Sequence, residues 1–243
     1  MTNLADQSDP RLREICAGSP QAAVLPVGSI EQHGPHLPVS TDTDIVTEIA
    51  CRLCRVGGFL RLPTIQYGVS YEHAPLFQLS VSNRTLLWTV HDIVESLSRN
   101  GIGMVFVLNG HHGNQKPLSR LVRKVAGGMG KRVCVHTFSY WHFIEETFDH
   151  AGPLETSLML AISDNVDMRK AVQGLDVDGL SKKRLREISR LASTSFPKAT
   201  GNGIWGDPTT ATAEHGRLLL GQAVANLHKR CMDCIGGVEG THE

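Results

Sequence analysis

The segment Met104–Asn114 reads MVFVLNGHHGN and decides the fold. Its first five residues are all apolar, and glycines stand on both sides of this run, at Gly103 and Gly110. A short, continuously apolar run is typical of a parallel strand that is buried on both faces. The segment therefore predicts an α/β protein in which helices cover both faces of a sheet.

The rest of the chain repeats this pattern of apolar runs followed by amphipathic stretches. We predict strands at Ala22–Ile30, Leu60–Gln66, Met104–Leu108 and Arg132–Phe138. We predict helices at Thr41–Val56, Asn83–Ser98, Asn114–Ala126, Glu155–Ile162, Ser181–Ala192 and Thr209–Lys229. This alternation predicts a three-layer α/β/α sandwich with a mostly parallel central sheet. Since no repeat or long linker interrupts it, residues 1–243 are expected to form a single domain with its core at about 20–230.

The charge balance excludes several classes of partner. The chain has 24 Lys+Arg and 24 Asp+Glu, a formal net charge of +0. A neutral chain is not drawn to nucleic acid or to anionic lipid, so we predict neither partner. The apolar runs are too short to cross a bilayer, and the N-terminus lacks the charged-then-apolar pattern of a signal peptide. We therefore expect a cytoplasmic protein that does not engage a membrane.

The six cysteines include two C-x-x-C pairs, Cys51/Cys54 and Cys231/Cys234. Four-thiolate zinc sites use this spacing. However, Cys51 and Cys54 lie in an amphipathic stretch without turn residues, and cysteine is a common small core residue. We therefore favour reduced thiols over a structural zinc site.

Histidines and carboxylates are concentrated in two loops that follow predicted strands. Glu31 and His33 are two positions apart, so in an extended segment they project to the same side. Asp42 stands where the next helix begins, and the second loop carries His111. The carboxyl ends of parallel strands meet at one edge of a sheet. Imidazole and carboxylate together suit zinc, manganese or iron, and an aspartate can bridge two ions. The two loops therefore predict a metal centre.

Four segments resemble the creatininase family of metal-dependent amidohydrolases, in the family's order. They are LPVGSIEQHGPHLPVSTDTD (25–44), VLNGHHGN (107–114), HAGPLETSLML (150–160) and GDPTTATAEHG (206–216). The resemblance implies a three-layer α/β/α fold, a homohexamer built as a trimer of dimers, and two divalent metal ions per subunit. Zinc is the preferred ion, with manganese or iron as alternatives. The implied reaction opens a carbon–nitrogen amide bond in a small molecule or short peptide.

The resemblance also implies the metal ligands, one residue at a time. It makes Glu31 and His111 ligands of the first metal, His33 a ligand of the second, and Asp42 the bridge. Asp44 is a rival for the bridge, but the spacing from Glu31 favours Asp42. Creatinine-cleaving members carry a ligating glutamate two residues after the histidine of the N-G-H loop, where this chain has a glycine, Gly113. We expect Glu155 to replace it; the alternative is a glutamate that only stabilises a helix N-terminus.

Further residues are assigned to catalysis and to substrate. His150 matches the histidine that family members place at the active centre, where an imidazole can protonate the departing nitrogen. His36 matches a histidine outside the direct ligand set, expected to orient a ligand or hold the loop. We expect substrate contacts from three residues: His112, Trp141 and His73. For Trp141, a place in the core or between subunits is an equal alternative.

The substrate is less defined than the reaction. Creatinine is disfavoured, because the ligating glutamate is absent and no tryptophan stands among the residues just before His150. The resemblance leaves two alternatives: a peptidase that trims a modified precursor peptide, as in mycofactocin maturation, and a deformylase acting on a formylamino-pyrimidine nucleotide. The non-enzyme alternative is a metal-binding scaffold subunit whose site has decayed, which the glycine at 113 would favour.

Overall fold

The computed structural model describes residues 2–18, 22–128, 133–147 and 149–239. Its strands are β1 (Thr2–Asn3), β2 (Ala22–Val27), β3 (Leu60–Arg61), β4 (Met104–Asn109) and β5 (Cys134–Ser139). Its helices are α1 (Asp9–Ala17), α2 (Thr41–Gly57), α3 (Asn83–Arg99), α4 (Gln115–Gly128), α5 (Pro153–Ile162), α6 (Lys182–Ala192), α7 (Phe196–Thr200) and α8 (Ala213–Glu239).

The five strands form one sheet in the order β1-β3-β2-β4-β5, and every pairing among them is parallel. The strand predicted at Leu60–Gln66 is shorter than expected, because Pro63 has no N–H to contribute to the ladder. Pairing resumes there only as a single bridge between Val27 and Ile65. The strand predicted at Arg132–Phe138 is observed as β5, and Arg132 lies outside the described residues.

Alternate residues of the central strands face two separate apolar layers. In β4, Phe106 and Leu108 pack into the layer that contains helices α2, α5 and α8. Val105 and Val107 face the opposite layer, with α3 and α4. This period of two is that of a strand covered on both sides. The three-layer α/β/α sandwich predicted from the sequence is therefore confirmed.

Both C-x-x-C pairs lie on helices, although the sequence predicted a helix only for the first pair. Cys51 and Cys54 lie on α2, and Cys231 and Cys234 lie on α8. All six cysteines are free, and no cysteine contributes to a metal-ligating cluster within the described ranges. None of the helices in the described part of the chain is both long and apolar enough to cross a membrane.

The strand order places a crevice at the carboxyl ends of β2 and β4. From β2 the chain runs through α2 to β3 on one side of the sheet, whereas from β4 it continues to β5 on the other side. Open parallel sheets bind ligands at such a reversal of strand order. The loops 28–40 and 110–112 both leave from this point, which brings the two histidine-bearing segments together.

Helix α2 begins at this crevice and packs into the core, and this packing can be tested by shortening a buried side chain. Ile49 has an exposed fraction of 0%. We expect Ile49→Ala to lower the free energy of unfolding by about 2–5 kcal/mol, because it removes buried methyl groups and leaves a cavity. Val56→Ala on the same helix is the matched control, since Val56 is 60% exposed; its effect should stay within about 0.5 kcal/mol. Urea denaturation of both variants measures the difference, and equal effects would contradict the assigned packing.

Candidate metal centre

Asp42 lies at the centre of the crevice, in the first turn of α2. Its carboxylate is buried, with Oδ1 3.4 Å from His33 Nε2 and Oδ2 3.1 Å from His111 Nδ1. Its rival Asp44 instead accepts a hydrogen bond from the Ser40 hydroxyl at 2.7 Å. Asp42 is thus the aspartate that faces both histidine-bearing loops.

Two groups of potential ligands share this carboxylate. The first group is Glu31, Asp42 and His111, and the second is His33, Asp42 and Glu155. In each group one ligand atom per residue lies within 4.8 Å of the others. The structure therefore brings together all five residues that the sequence proposed as metal ligands. A carboxylate shared between two triads is the arrangement that bridges paired ions.

In His33 and His111, the ring nitrogen that points away from Asp42 lies against a backbone carbonyl oxygen. His33 Nδ1 is 3.0 Å from the Glu31 carbonyl oxygen, and His111 Nε2 is 2.8 Å from that of Val69. Because a carbonyl only accepts, these nitrogens carry hydrogens, and His33 Nε2 and His111 Nδ1 are the nitrogens left to bind an ion or, without ions, a second proton. Metal-ligating histidines are typically oriented by such a bond from the other ring nitrogen.

Buried polar atoms without partners mark the same place. Within the described part of the chain, five such atoms at the centre form no hydrogen bond: Glu31 Oε1 and Oε2, His33 Nε2, Asp42 Oδ2 and Glu155 Oε1. Leaving buried acceptors unpaired costs free energy, and native proteins rarely do so. Divalent cations would satisfy all five atoms, so the donor set fits the metals that the resemblance implies.

The electrostatics of the ion-free centre lead to protonated ligands. Burial alone would lower the pKa of His33, but the surrounding carboxylates outweigh it and raise that pKa to about 10. The pKa of His111 is likewise raised to about 10, by Glu31 and Asp42 against the effect of burial. Burial raises the pKa of Glu155 to about 8. Cations would therefore replace protons at these groups.

Glu155 does not fill the space beside Gly113. Its Oε2 lies 3.6 Å from His33 Nε2, in the second triad, while Oε2 also accepts a hydrogen bond from the Ala151 N–H at 2.7 Å. The carboxylate beside Gly113 is that of Glu72, whose Oε1 would be 2.8 Å from a Cβ at position 113. That Cβ would also collide with the Val69 carbonyl oxygen. Glu155 is therefore a potential ligand in the second triad, and its replacing the ligand missing at Gly113 stays a prediction. Spacing along the chain does not reveal which carboxylate folds against the glycine.

His150 stands beside both triads. Its Nδ1 is 3.9 Å from Glu31 Oε1, and its ring centroid is 4.3 Å from that of His33. Burial and the neighbouring His33 lower the pKa of His150 well below its ordinary value, so the ring is neutral at neutral pH. A neutral imidazole at this position is able to accept a proton before passing it on.

A cavity of about 230 Å³ opens in front of the centre. Of the expected substrate-contacting residues, His73 and His112 line it. Trp141 is buried behind His112, with its ring stacked at 6.2 Å from the histidine ring. Substrate contact by Trp141 stays a prediction. Sequence reasoning missed several other residues of the wall: Asp149, Ser189, Phe196 and Trp205.

An aromatic face is present despite the missing tryptophan. Phe196, the first residue of α7, lies 4.8 Å from the His73 ring and 4.6 Å from the His150 ring between centroids. Nothing local in the sequence marks this phenylalanine, since it enters the site from a helix about 46 positions after His150. The missing tryptophan before His150 therefore does not leave the site without an aromatic side chain.

His36 lies outside the two triads, as expected. Its Nε2 is 2.9 Å from the Thr156 hydroxyl, next in the chain to Glu155. Burial and the nearby His33 lower the pKa of His36 to about 4. The contact ties the first loop to α5, which carries Glu155.

The fold and site together define an α/β protein with a binuclear-type ligand set at the carboxyl edge of a parallel sheet. A family model described as creatininase, creatinine amidohydrolase, matches residues 5–231. The chain therefore belongs to the creatininase family, whose hydrolases act on carbon–nitrogen bonds.

Three relatives illustrate this membership. A mycofactocin precursor peptide peptidase of Mycobacterium ulcerans (strain Agy99) is 31% identical over 231 residues, which cover 89% of this chain and 87% of the relative. A creatinine amidohydrolase of Pseudomonas putida is 32% identical over 178 residues, covering 61% and 67%. A solved structure described as "Creatininase Mn" is 25% identical, with a TM-score of 0.78 and coverage of 96% and 98%.

The metal content of the protein tests the two triads, and a surface cluster of histidine and carboxylates provides the control. We expect the purified protein to hold about two transition-metal ions per chain, and Asp42→Ala to lose both, because Asp42 belongs to both triads. The control is Asp92→Asn in the surface cluster of His91, Asp92 and Glu95, which should keep both ions. Inductively coupled plasma mass spectrometry gives the counts. Two ions retained without Asp42 would contradict the shared-carboxylate arrangement.

The protonated ligands predict that metal binding releases protons. At neutral pH the ion-free His33 and His111 carry protons, since their pKa values are raised to about 10. Coordination requires neutral imidazoles, so adding zinc should release protons and apparent affinity should rise as the pH increases toward 10. Calorimetry in buffers of different ionisation enthalpy measures this release. A heat of binding that is independent of the buffer would contradict it.

Proposed function

We propose that this protein hydrolyses an amide carbon–nitrogen bond with a water activated by two divalent ions. The observation that supports this most directly is the pair of buried triads that share Asp42. Zinc is the preferred ion because the set mixes imidazole with carboxylate, with manganese or iron as alternatives. When bound, such ions polarise an amide carbonyl and lower the pKa of a water toward about 7.

The chain's own residues handle the proton. His150 is neutral at rest and its Nδ1 faces the carboxylate of Glu31 at 3.9 Å. It accepts the proton that the attacking water gives up and delivers it to the departing nitrogen. The ions would be held by five residues: Glu31, His33, Asp42, His111 and Glu155. Phe196 packs against the His150 ring, with 4.6 Å between centroids.

The size of the cavity bears on the substrate. About 230 Å³ is enough for a compact amide head group but small for a whole drug-sized ligand. A second, more open cavity of about 1020 Å³ adjoins it and shares the residues Glu72, His112 and Ser193. The amide is therefore proposed to sit at the metals while the rest of a longer substrate extends outward.

This second cavity favours a peptide substrate as the next candidate. The relative described as a mycofactocin precursor peptide peptidase aligns over 89% of this chain. Peptide amides that are lengthened one residue at a time would distinguish the candidates. A rise in kcat/KM with length supports a peptidase, whereas turnover of only single-ring or formylamino amides supports a creatinine-like or deformylase activity.

The non-enzyme alternative, a decayed scaffold, is disfavoured by the completeness of the site. Glycine at position 113 removes one side chain, yet both triads keep three ligands each. Assembly into a homohexamer stays a prediction from the family resemblance, which size-exclusion chromatography with light scattering would test.

Replacing the proton-carrying imidazole separates catalysis from metal binding. We expect His150→Asn to keep about two ions per chain while kcat falls by about 10²–10⁴-fold, because general acid–base catalysis is lost. Metal analysis and amide turnover are measured on the same preparation. His91→Asn is the matched control, since His91 lies on α3 in the surface cluster. Normal turnover in the His150 variant would remove this residue from the proposed mechanism.

A further inference from the structure

Gln32 stands between two of the ligands, Glu31 and His33, but its amide is not a typical ligand of these metals. Its side chain is buried, with an exposed fraction of 8%. The amide instead lies among two backbone groups and two histidine rings. The amide nitrogen of Gln32 therefore contacts both His73 and His150.

Two backbone groups determine which end of the amide is oxygen. The Gly34 N–H donates to Oε1 at 3.1 Å, and the Gly203 carbonyl accepts from Nε2 at 2.9 Å. If the amide were reversed, its NH₂ group would face the Gly34 N–H, donor against donor, and its oxygen would face the Gly203 carbonyl, acceptor against acceptor. Since oxygen and nitrogen of an amide are assigned from their partners, these two backbone groups settle the orientation.

The amide nitrogen has two hydrogens, and one is used by Gly203. It also lies 3.0 Å from His73 Nδ1 and 3.1 Å from His150 Nε2. His150 Nε2 is in addition 3.1 Å from the backbone carbonyl oxygen of Gln32, which can only accept. His150 therefore carries its hydrogen on Nε2, and the second amide hydrogen goes to His73 Nδ1.

These hydrogen bonds determine which nitrogen of each histidine ring carries the hydrogen and which does not. His73 accepts at Nδ1, so its hydrogen is on Nε2, which lies 3.1 Å from Glu31 Oε1. Two bare acceptors at that distance would repel each other, whereas an N–H beside the carboxylate is favourable even though the contact is not aligned as a hydrogen bond. His150 is left with a bare Nδ1, the nitrogen that faces Glu31 Oε1 at 3.9 Å.

We propose that Gln32 is a positioning residue that sets the tautomers of the two active-centre histidines, His73 through its side-chain amide and His150 through its backbone carbonyl. The meaning of this arrangement for catalysis rests on the proposed function, because the bare Nδ1 of His150 is the atom assigned to proton transfer. The tautomers themselves are a property of the folded chain and can be observed without any substrate.

The backbone at Gly203 approaches the Gln32 amide closely, and this approach requires a glycine. Gly203 has a φ of +81°, and a Cβ there would lie 2.8 Å from Gln32 Cδ and 2.9 Å from its Nε2. Only a residue without a side chain lets the backbone approach the amide this closely. The segment thus holds Gln32 in place from a point 171 positions further along the chain.

The test is nitrogen-15 NMR of histidine-labelled protein, which reports the tautomer of each ring. We examine Gln32→Met, which keeps the length of the side chain but cannot form hydrogen bonds, in the zinc-loaded protein. We expect the Nε2–H tautomer of His73 to be lost or mixed, while that of His150 remains, because the backbone carbonyl at position 32 is unchanged. We also expect kcat to fall at least tenfold, with KM and the metal content unchanged.

A second substitution at Gln32 keeps the test valid if Gln32→Met does not fold. Gln32→Glu keeps the shape but presents only acceptors, so His73 should move its hydrogen to Nδ1. Gln222→Met is the matched control, because Gln222 accepts only from the Glu145 N–H in its described contacts; both tautomers should stay as in the parent protein. An unchanged His73 tautomer in both Gln32 variants would overturn the proposal. Absence of metal from the parent protein would instead count against the proposed function alone.

Discussion

The carboxylate of Asp42 is the group on which the rest of the site depends. It is buried and faces an imidazole on each side, His33 at 3.4 Å and His111 at 3.1 Å. Taking such a group out of water is costly unless opposite charge and well-oriented donors compensate. Here the pKa of Asp42 is held below its usual range, because the two imidazoles outweigh the effect of burial. Ions or protons must therefore occupy the space on both sides of this carboxylate.

The sheet makes that arrangement possible. Strands β2 and β4 pair in parallel from Ala22↔Met104 to Val27↔Asn109, so the residues that follow them leave the sheet side by side. The first turn of α2 then returns Asp42 to the point where the two loops diverge. The potential ligands thus come from segments that the sheet anchors at their bases, which would limit their movement on ion binding.

The histidines around the centre differ in their protonation because their surroundings differ. His33 and His111 face several carboxylates, which raise the pKa of each to about 10 without ions. His150 is also buried but lies beside His33, and burial together with that neighbour lowers its pKa. Neighbouring imidazoles can thus serve as ligands or as a proton carrier, and hydrogen bonds from backbone carbonyls decide which nitrogen each of them presents.

The alternation of strands and helices was predictable from the sequence alone, and so was the meeting of Glu31, His33, Asp42 and His111 at one edge of the sheet. Both depend on local patterns and on loops that directly follow strands. The shortening of the strand at Leu60 could also have been anticipated from Pro63. Only the tertiary structure decided that Glu155 lies beside His33, that Glu72 fills the space beside Gly113, and that Phe196 walls the cavity. These contacts join residues far apart in the chain, and their geometry is set by side-chain packing, which no local pattern encodes.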